Sequence, residues 1–441
     1  MRTQLWPLPT MAVVAAVALG LLVPRLDASV DASLSGWLDA VLFGGDGGAA
    51  STVLDAVSSS LITVTSLTFS LTVVTLQLAS SQFSPRLLRT FTKDLFVQGT
   101  LALFLATFAY SLTVLRSVRS GDGGQTPFVP RIAVTTSYVL AMLSVIGLVL
   151  FLAHLTRQIR VETMLHQVRQ DASDTVRSVL PPRGEGRPGV AIPDGRGVPL
   201  LATSSGFLLG ADTEELLRAS REASGLVVIT SLPGDFIIEG TPVGALHRAS
   251  TPDPTSLERV RATVGAALRT GTERTAAEDV AFGLRQLTDV ANKALSPGIN
   301  DPTTAVHALG HISTLLCELA DAELGPVTVR SDDGGQVVLQ RPDLDHLLEV
   351  SLTQIRRYGA GDPLVLARLY RLLTELAWHV SPEDAWLVAR ERRRLDATVE
   401  AGDGDEVTRA RLAQLSRDVA ATAPASGRES PPPPASTSQS S

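Results

Sequence analysis

Apolar residues fall into two regimes along the chain. In the first third they form long unbroken runs; after residue 157 they recur at helical spacing or in short β-branched clusters. Four runs exceed the ~20 residues that cross a hydrocarbon core as a helix. They lie between Arg2 and Arg25, Asp55 and Arg86, Asp94 and Arg116, and Arg131 and Arg157. The pattern predicts an α-helical membrane protein with four transmembrane helices over 1–156 and no acidic or basic residue inside any span. A cleaved signal peptide explains the first run less well, because it is longer than the usual ~7–15-residue core and its basic segment is only Arg2.

The second run is rich in hydroxyls. Ser59, Thr63, Ser66, Ser70 and Gln77 share one arc at helical spacing, and Thr65, Thr68, Thr72 and Thr75 share the opposite arc. A helix facing only lipid gains nothing from these groups, so this run is expected to be an inner helix. Serine and threonine can also bond back to a carbonyl one turn earlier, which accounts for many such stripes. The functional reading makes Ser59, Thr63, Ser66, Ser70 and Gln77 pore-lining candidates. His154, at the end of the fourth run, reads as an interfacial polar residue.

Beyond the spans the pattern changes period. Val161, Leu165, Val168, Ala172 and Val176 predict an amphipathic helix over 157–182, continuing the fourth span to Pro181-Pro182. A linker and a small β-rich unit follow over 183–250, with strands punctuated by Pro233-Gly234-Asp235 and Gly240-Thr241-Pro242. Asp212 is placed to cap a helix over 213–223. Residues 251–421 read as a helical domain, with helices over 256–268, 276–295, 302–322, 343–358, 363–379, 382–399 and 405–421. One hairpin interrupts them, turning at Asp332-Asp333-Gly334-Gly335. The Ser- and Pro-rich tail, 422–441, is expected to be disordered. The fold class is thus a four-span membrane domain followed by an α+β region, a small β-rich unit plus a helical domain.

Charge sets the orientation. Arg86, Arg89 and Lys93 follow the second span, and Arg157, Arg160 and Arg169 follow the fourth. The loop after the first span carries Arg25 and five aspartates: Asp27, Asp31, Asp39, Asp46 and Asp55. The positive-inside rule places the N-terminus, the 81–95 loop and everything after 157 in the cytoplasm. A net charge of −7 over 441 residues gives no nucleic-acid signal. The single cysteine, Cys317, excludes an intrachain disulfide framework and a Cys-based zinc site.

The densest polar constellation runs from Thr272 to Ile312. Arg274, Asp279, Arg285, Asp289 and Lys293 alternate in sign, with i,i+4 spacing along the last three. Asn300 and Asp301 then join two helices, Asp301 as N-cap before Pro302. These seven residues are the candidates for a small-ligand or ion site, with helix capping as the plainer account. His307 and His311 have metal-ligand spacing, but Ala308 stands where a zinc protease needs Glu, and an ordinary helix surface explains them. No metal, no cofactor and no catalytic residue is expected; no phosphate-binding loop, dinucleotide fingerprint or nucleophile elbow occurs.

The stretches SLTFSLTVVTLQLASSQFSPRLLRTF, SGFLLGAD, PGDFIIEGTPVGAL and RTAAEDVAFGLRQLTDVANKALSPGINDPTTA resemble the bacterial family of integral membrane proteins labelled domain of unknown function 2254. The similarity runs from about Leu5 to about Val399 and implies a multi-pass protein of the bacterial cytoplasmic (inner) membrane. It supplies no activity or substrate. The first expectation for function is a homo-oligomeric channel or pore in the lipid bilayer, regulated by its cytoplasmic part. The alternative is a membrane-anchored sensor or scaffold that binds a ligand or partner through that part. An enzyme would need a cleft joining Arg285, Asp289, Asn300 and Asp301.

Overall fold

The computed structural model describes residues 6–30, 42–82, 94–119, 128–158, 161–184, 193, 197–248 and 254–422. The basic cluster Arg86, Arg89 and Lys93 and the expected disordered tail after 422 lie outside them. The chain forms two compact units, Met1–Thr163 and Met164–Ser441.

The N-terminal unit contains four long helices: α1 (Pro7–Val30), α2 (Gly47–Gln82), α3 (Leu95–Leu115) and α4 (Arg131–Gln158). All four are long and apolar enough to span a membrane. Two expectations are corrected here. The inner helix is α3, half of whose span is buried, against 28% for the span in α2. Together with one face of α2 (Thr65, Thr68, Thr72 and Thr75) and Ser137 and Ser144 of α4, Gln98, Thr100, Thr107 and Ser111 of α3 pack inside the bundle. Their small bodies let α1, α2 and α4 approach, and Gly20 of α1 sits so close that a Cβ there would lie 2.9 Å from the Thr113 Cβ. The helices also run past their apolar runs, so Arg25 and Asp27 ride on α1 and Asp55 on α2. Buried Asp27 accepts from the Ile132 N–H at 2.8 Å, capping the start of α4. A charge at the end of a span thus satisfies the free amides of its neighbour.

The C-terminal unit opens with the amphipathic helix α5 (Val161–Val179), which buries Met164, Leu165, Val168, Ala172 and Val176. Then come β1 (Val198–Leu201), β2 (Gly206–Ala211), α6 (Thr213–Ala223), β3 (Leu226–Ile229), β4 (Phe236–Ile237) and β5 (Pro242–His247). They are followed by α7 (Pro254–Ala267), β6 (Leu268–Gly271), α8 (Phe282–Ala294), α9 (Pro302–Ala320), β7 (Val327–Arg330) and β8 (Gln336–Leu339). Four helices complete the described chain: α10 (Leu344–Tyr358), α11 (Pro363–Ala377), α12 (Ala385–Glu400) and α13 (Glu406–Thr422).

One sheet has the order β1-β5-β3-β8-β7 and a second the order β4-β2-β6. The hairpin β7–β8 therefore joins the strands of 198–247 in one sheet, with β8 parallel to β3. A core of Leu200, Leu216, Val227, Val243, Leu246 and Val337 lies beneath α6 and α7. Two predicted helices differ at their ends from their periodicity. The predicted helix over 256–268 ends one residue earlier, at Ala267, and Leu268 begins strand β6, which pairs with β2. Residues 276–281 turn instead of joining α8, because Asp279 reaches back to Arg274.

Candidate functional site

The outward arc of α2 comes first. Ser59, Thr63, Ser66, Ser70 and Gln77 are all exposed on the chain, whereas Thr65, Thr68, Thr72 and Thr75 are buried against the bundle. Many hydroxyls of α2 are satisfied within the helix. Thr63 donates to the Ser59 carbonyl at 3.0 Å, Thr65 to that of Leu61 at 2.7 Å, Thr72 to that of Thr68 at 2.8 Å and Thr75 to that of Leu71 at 2.8 Å. Between helices, Ser111 and Ser137 hydroxyls meet at 2.6 Å, and Thr107 and Ser144 at 3.3 Å. His154 Nε2 lies 2.6 Å from Asp94, the residue that also caps α3. The pore-lining candidates therefore belong to the outer surface of the single chain and line nothing within it.

The seven candidates of the C-terminal unit do not form one cleft. Arg274 Nε donates to Asp279 Oδ2 at 2.9 Å in a nearly dry pair, the Asp279 side chain being 3% exposed. Burial holds the Asp279 carboxyl above its usual range, with Arg274 and then Arg285 opposing. The turn at Gly234, φ +90°, packs so tightly on this pair that any side chain there would collide with both partners. Arg285, Asp289 and Lys293 continue along α8, half-buried. Asn300 is exposed with φ 48°, a left-handed turn residue. Asp301 accepts from the Thr304 amide at 3.0 Å and its hydroxyl at 2.6 Å. The hydroxyl first, then the amide, hold its carboxyl below the usual range. Asp301 is thus a helix cap, and the cleft an enzyme reading requires is absent among these residues.

His307 is exposed, and the partly buried His311 ring meets His166 edge-on at 6.3 Å. Burial, then Arg169, His166 and His307, lower the His311 pKa. No group of three His, Cys, Asp or Glu suited to a metal occurs among the described residues. Burial pushes the Cys317 thiol up to about 11, which keeps it protonated and a poor nucleophile.

A cavity of about 430 Å³ lies elsewhere in this unit, within the range of small-molecule sites. It opens at the carboxyl ends of the parallel strands β3 and β8, where Ile229, Ser231, Leu339, Gln340 and Arg341 line it. Strand β2 gives Leu208, Gly210 and Ala211, the first turn of α6 gives Thr213, and the end of α5 gives Ser178 and Val179. Pro233, Ala277 and Glu278 close it. Carboxyl ends of parallel strands are a recurring place for ligands, because side chains there project beyond the ladder into a crevice. The Gln340 amide still donates to the Ile229 carbonyl at 2.9 Å, which fixes where the ladder ends and places Arg341 just beyond it.

The charges in this cavity do not balance. Glu278 is bonded by Arg269. Arg341 is half-buried, and among the described residues no carboxylate or carbonyl accepts from its guanidinium within hydrogen-bond distance. Burial lowers its pKa, with Glu278 opposing from further away. Gly210 is required here, because a side chain at 210 would overlap the Glu278 carboxylate. Sequence reasoning singled out the stretch containing Ala277 and Glu278 but missed Arg341, Thr213, Ser231 and Gln340. These residues are scattered from 213 to 341 with no common spacing, and only the β3–β8 pairing brings them together.

Three relatives described as uncharacterized proteins, one from Mycobacterium bovis and two from strains of Mycobacterium tuberculosis, are each 36% identical to this chain over 383 residues. Each match covers 86% of this chain and 72% of the relative. No solved structure matches. Residues 2–375 match the family described as Predicted membrane protein (DUF2254), which agrees with four spans in contact with a lipid bilayer. The chain therefore belongs to this family of multi-pass membrane proteins.

Proposed function

We propose that the protein is a membrane-anchored ligand sensor, its four spans fixing a C-terminal, cytoplasmic unit that binds a small molecule. The observation that carries this reading is the cavity beside β3, β8 and α6, lined by the half-buried Arg341, set against a bundle in which hydroxyls of α3 and α4 meet one another. The cytoplasmic side rests on the basic residues after the second and fourth spans. The test is a thermal-stability screen of the full chain in lipid nanodiscs against small acids, amines, sugars and nucleotides. Binding to the folded state raises the melting temperature in proportion to occupancy. A ligand that protects the amides of β3, β8 and α6 from hydrogen exchange supports the reading. A screen in which no compound shifts the melting temperature rejects it.

The second reading is a homo-oligomeric channel with its polar pathway between protomers. A specific pattern favours it. The exposed arc Ser59, Thr63, Ser66, Ser70 and Gln77 is flanked by exposed Ile62, Phe69 and Val73 on one side and by Leu67 and Val74 on the other. Small polar residues between two apolar rows suit a close helix–helix contact in a membrane. Ser66→Cys in a Cys317→Ser background should cross-link two chains under oxidation, and the reconstituted protein should pass ions. A chain that stays uncross-linked and passes no current removes this reading.

A further inference from the structure

The ligand class can be read from the cavity itself, an inference that rests on the sensor reading above. A guanidinium in a partly desolvated place is normally matched by a carboxylate or by several carbonyls. The buried Asp279 is matched in this way by Arg274, and Glu278 by the exposed Arg269. Arg341 has no such partner within hydrogen-bond distance among the described residues, yet it lines a space large enough for a small molecule.

The surroundings narrow the choice of anion. The carboxylate of Glu278 shares the cavity and is already engaged by Arg269. One surplus positive charge beside one matched acid suits a monoanion; a phosphate dianion would face Glu278 with excess negative charge. The planar fork of arginine matches a carboxylate through two parallel N–H···O bonds. Leu208, Ile229 and Leu339 provide apolar walls. Ser231, Thr213 and Gln340 provide neutral hydrogen-bonding groups, so the body of the ligand is apolar with a few polar substituents.

We infer that the cavity beside β3 and β8 binds a small organic monocarboxylate, with Arg341 holding its carboxylate and Leu208, Ile229 and Leu339 holding its apolar body. Gln340 and Thr213 set the position of the remaining polar atoms. Burying the carboxylate against Arg341 completes the charge balance that the chain alone leaves open.

The test is calorimetric titration of the full chain in nanodiscs with benzoate, with benzyl alcohol and inorganic phosphate as the neutral and dianionic probes. Benzoate should bind, and neither of the other two should. Arg341→Gln should weaken benzoate by about tenfold or more, the usual consequence of losing a charge-assisted pair. Arg218→Gln, which alters only an exposed pair on α6, should leave binding unchanged. Ala211→Trp fills the cavity and should abolish binding while keeping Arg341. Should Arg341→Gln unfold the chain, Arg341→Lys serves instead, keeping the charge but losing the fork and weakening benzoate. Equal benzoate binding by the parent and Arg341→Gln overturns the inference, as does phosphate binding tighter than benzoate. If only neutral or cationic compounds in the stability screen bind, and Ala211→Trp blocks them, the sensor reading stands and the carboxylate assignment falls. If nothing binds at all, both fall.

Discussion

In the N-terminal unit most polar side chains are satisfied by a near neighbour, Thr68 being an exception; in the C-terminal unit a cation without an acceptor lines a cavity. Thr65 and Thr72 of α2 bond to carbonyls four residues earlier, Ser111 of α3 and Ser137 of α4 pair with each other, and Asp27 accepts from the amides that start α4. This is what a low-dielectric bundle requires, since an unmet polar group there costs several kcal/mol. In the C-terminal unit the same bookkeeping closes almost everywhere. Glu391, buried, accepts from Arg390 at 3.0 Å and Arg394 at 3.0 Å, and Tyr370 donates to Asp396 at 2.7 Å. Single buried atoms such as Arg261 Nε and Arg356 Nε go unmet, and Arg341 is the cation that lines the 430 Å³ cavity. A stripe of hydroxyls is therefore weaker evidence for a site than one unmatched charge beside a void.

The contrast can be broken most severely at the buried pair. Arg274→Ala leaves Asp279 in a dry place without its partner, and should destabilise the C-terminal unit by about 3–5 kcal/mol at neutral pH. Asp279 already titrates above its usual range in the fold, so on folding it gains a preference for the protonated form. As pH falls through that raised value the folded chain takes up a proton before the unfolded one does. Stability is then gained relative to neutral pH, and the gain is complete below the ordinary carboxylate value of about 4. The deficit of Arg274→Ala should therefore narrow as the pH is lowered, which denaturant titrations at several pH values will read. A deficit that widens on acidification would contradict the assignment of the pair.

A second test concerns packing. The Gly283 position on α8 touches Ala172 of α5 so closely that an added methyl must push the helices apart. Gly283→Ala should cost about 1–3 kcal/mol, measured as a shift in the unfolding midpoint. Within the membrane unit, Asp27→Ala removes the cap of α4 and should cost about 1 kcal/mol, seen as faster hydrogen exchange at Ile132 and Ala133. The smallest effect is expected for Ser66→Leu, within ~0.5 kcal/mol, because the residue is exposed on the chain. If Ser66→Leu destabilises the protein as strongly as Gly283→Ala, its face is covered by a neighbour, and the channel reading gains accordingly.

The long spans, the amphipathic α5 and the cap at Asp212 were legible because periodicity and capping act over a few residues. So was the β7–β8 hairpin, with its Asp-Asp-Gly-Gly turn. Which span sits inside was not, because α2 and α3 both carry hydroxyls and only packing decides that Thr107 and Ser111 face the bundle. Strand β6 was hidden because it leaves α7 without a turn residue and shows only Leu268 as an apolar signal. The candidate stretch 274–301 supplied Ala277 and Glu278 to the cavity wall, but its conspicuous charges proved to be a buried pair and a helix cap. Arg341 stands alone before Pro342 with nothing local to mark it; its meaning comes from the ladder that ends beside it.

The most direct test of the central claim is the reactivity of Arg341 toward phenylglyoxal, read peptide by peptide by mass spectrometry on the full chain in nanodiscs. The account predicts that Arg341 is modified faster than the paired Arg274, and that benzoate slows modification at Arg341 while leaving exposed Arg218 unaffected. Arg341 reacting no faster than Arg274, with no protection by benzoate, would contradict it.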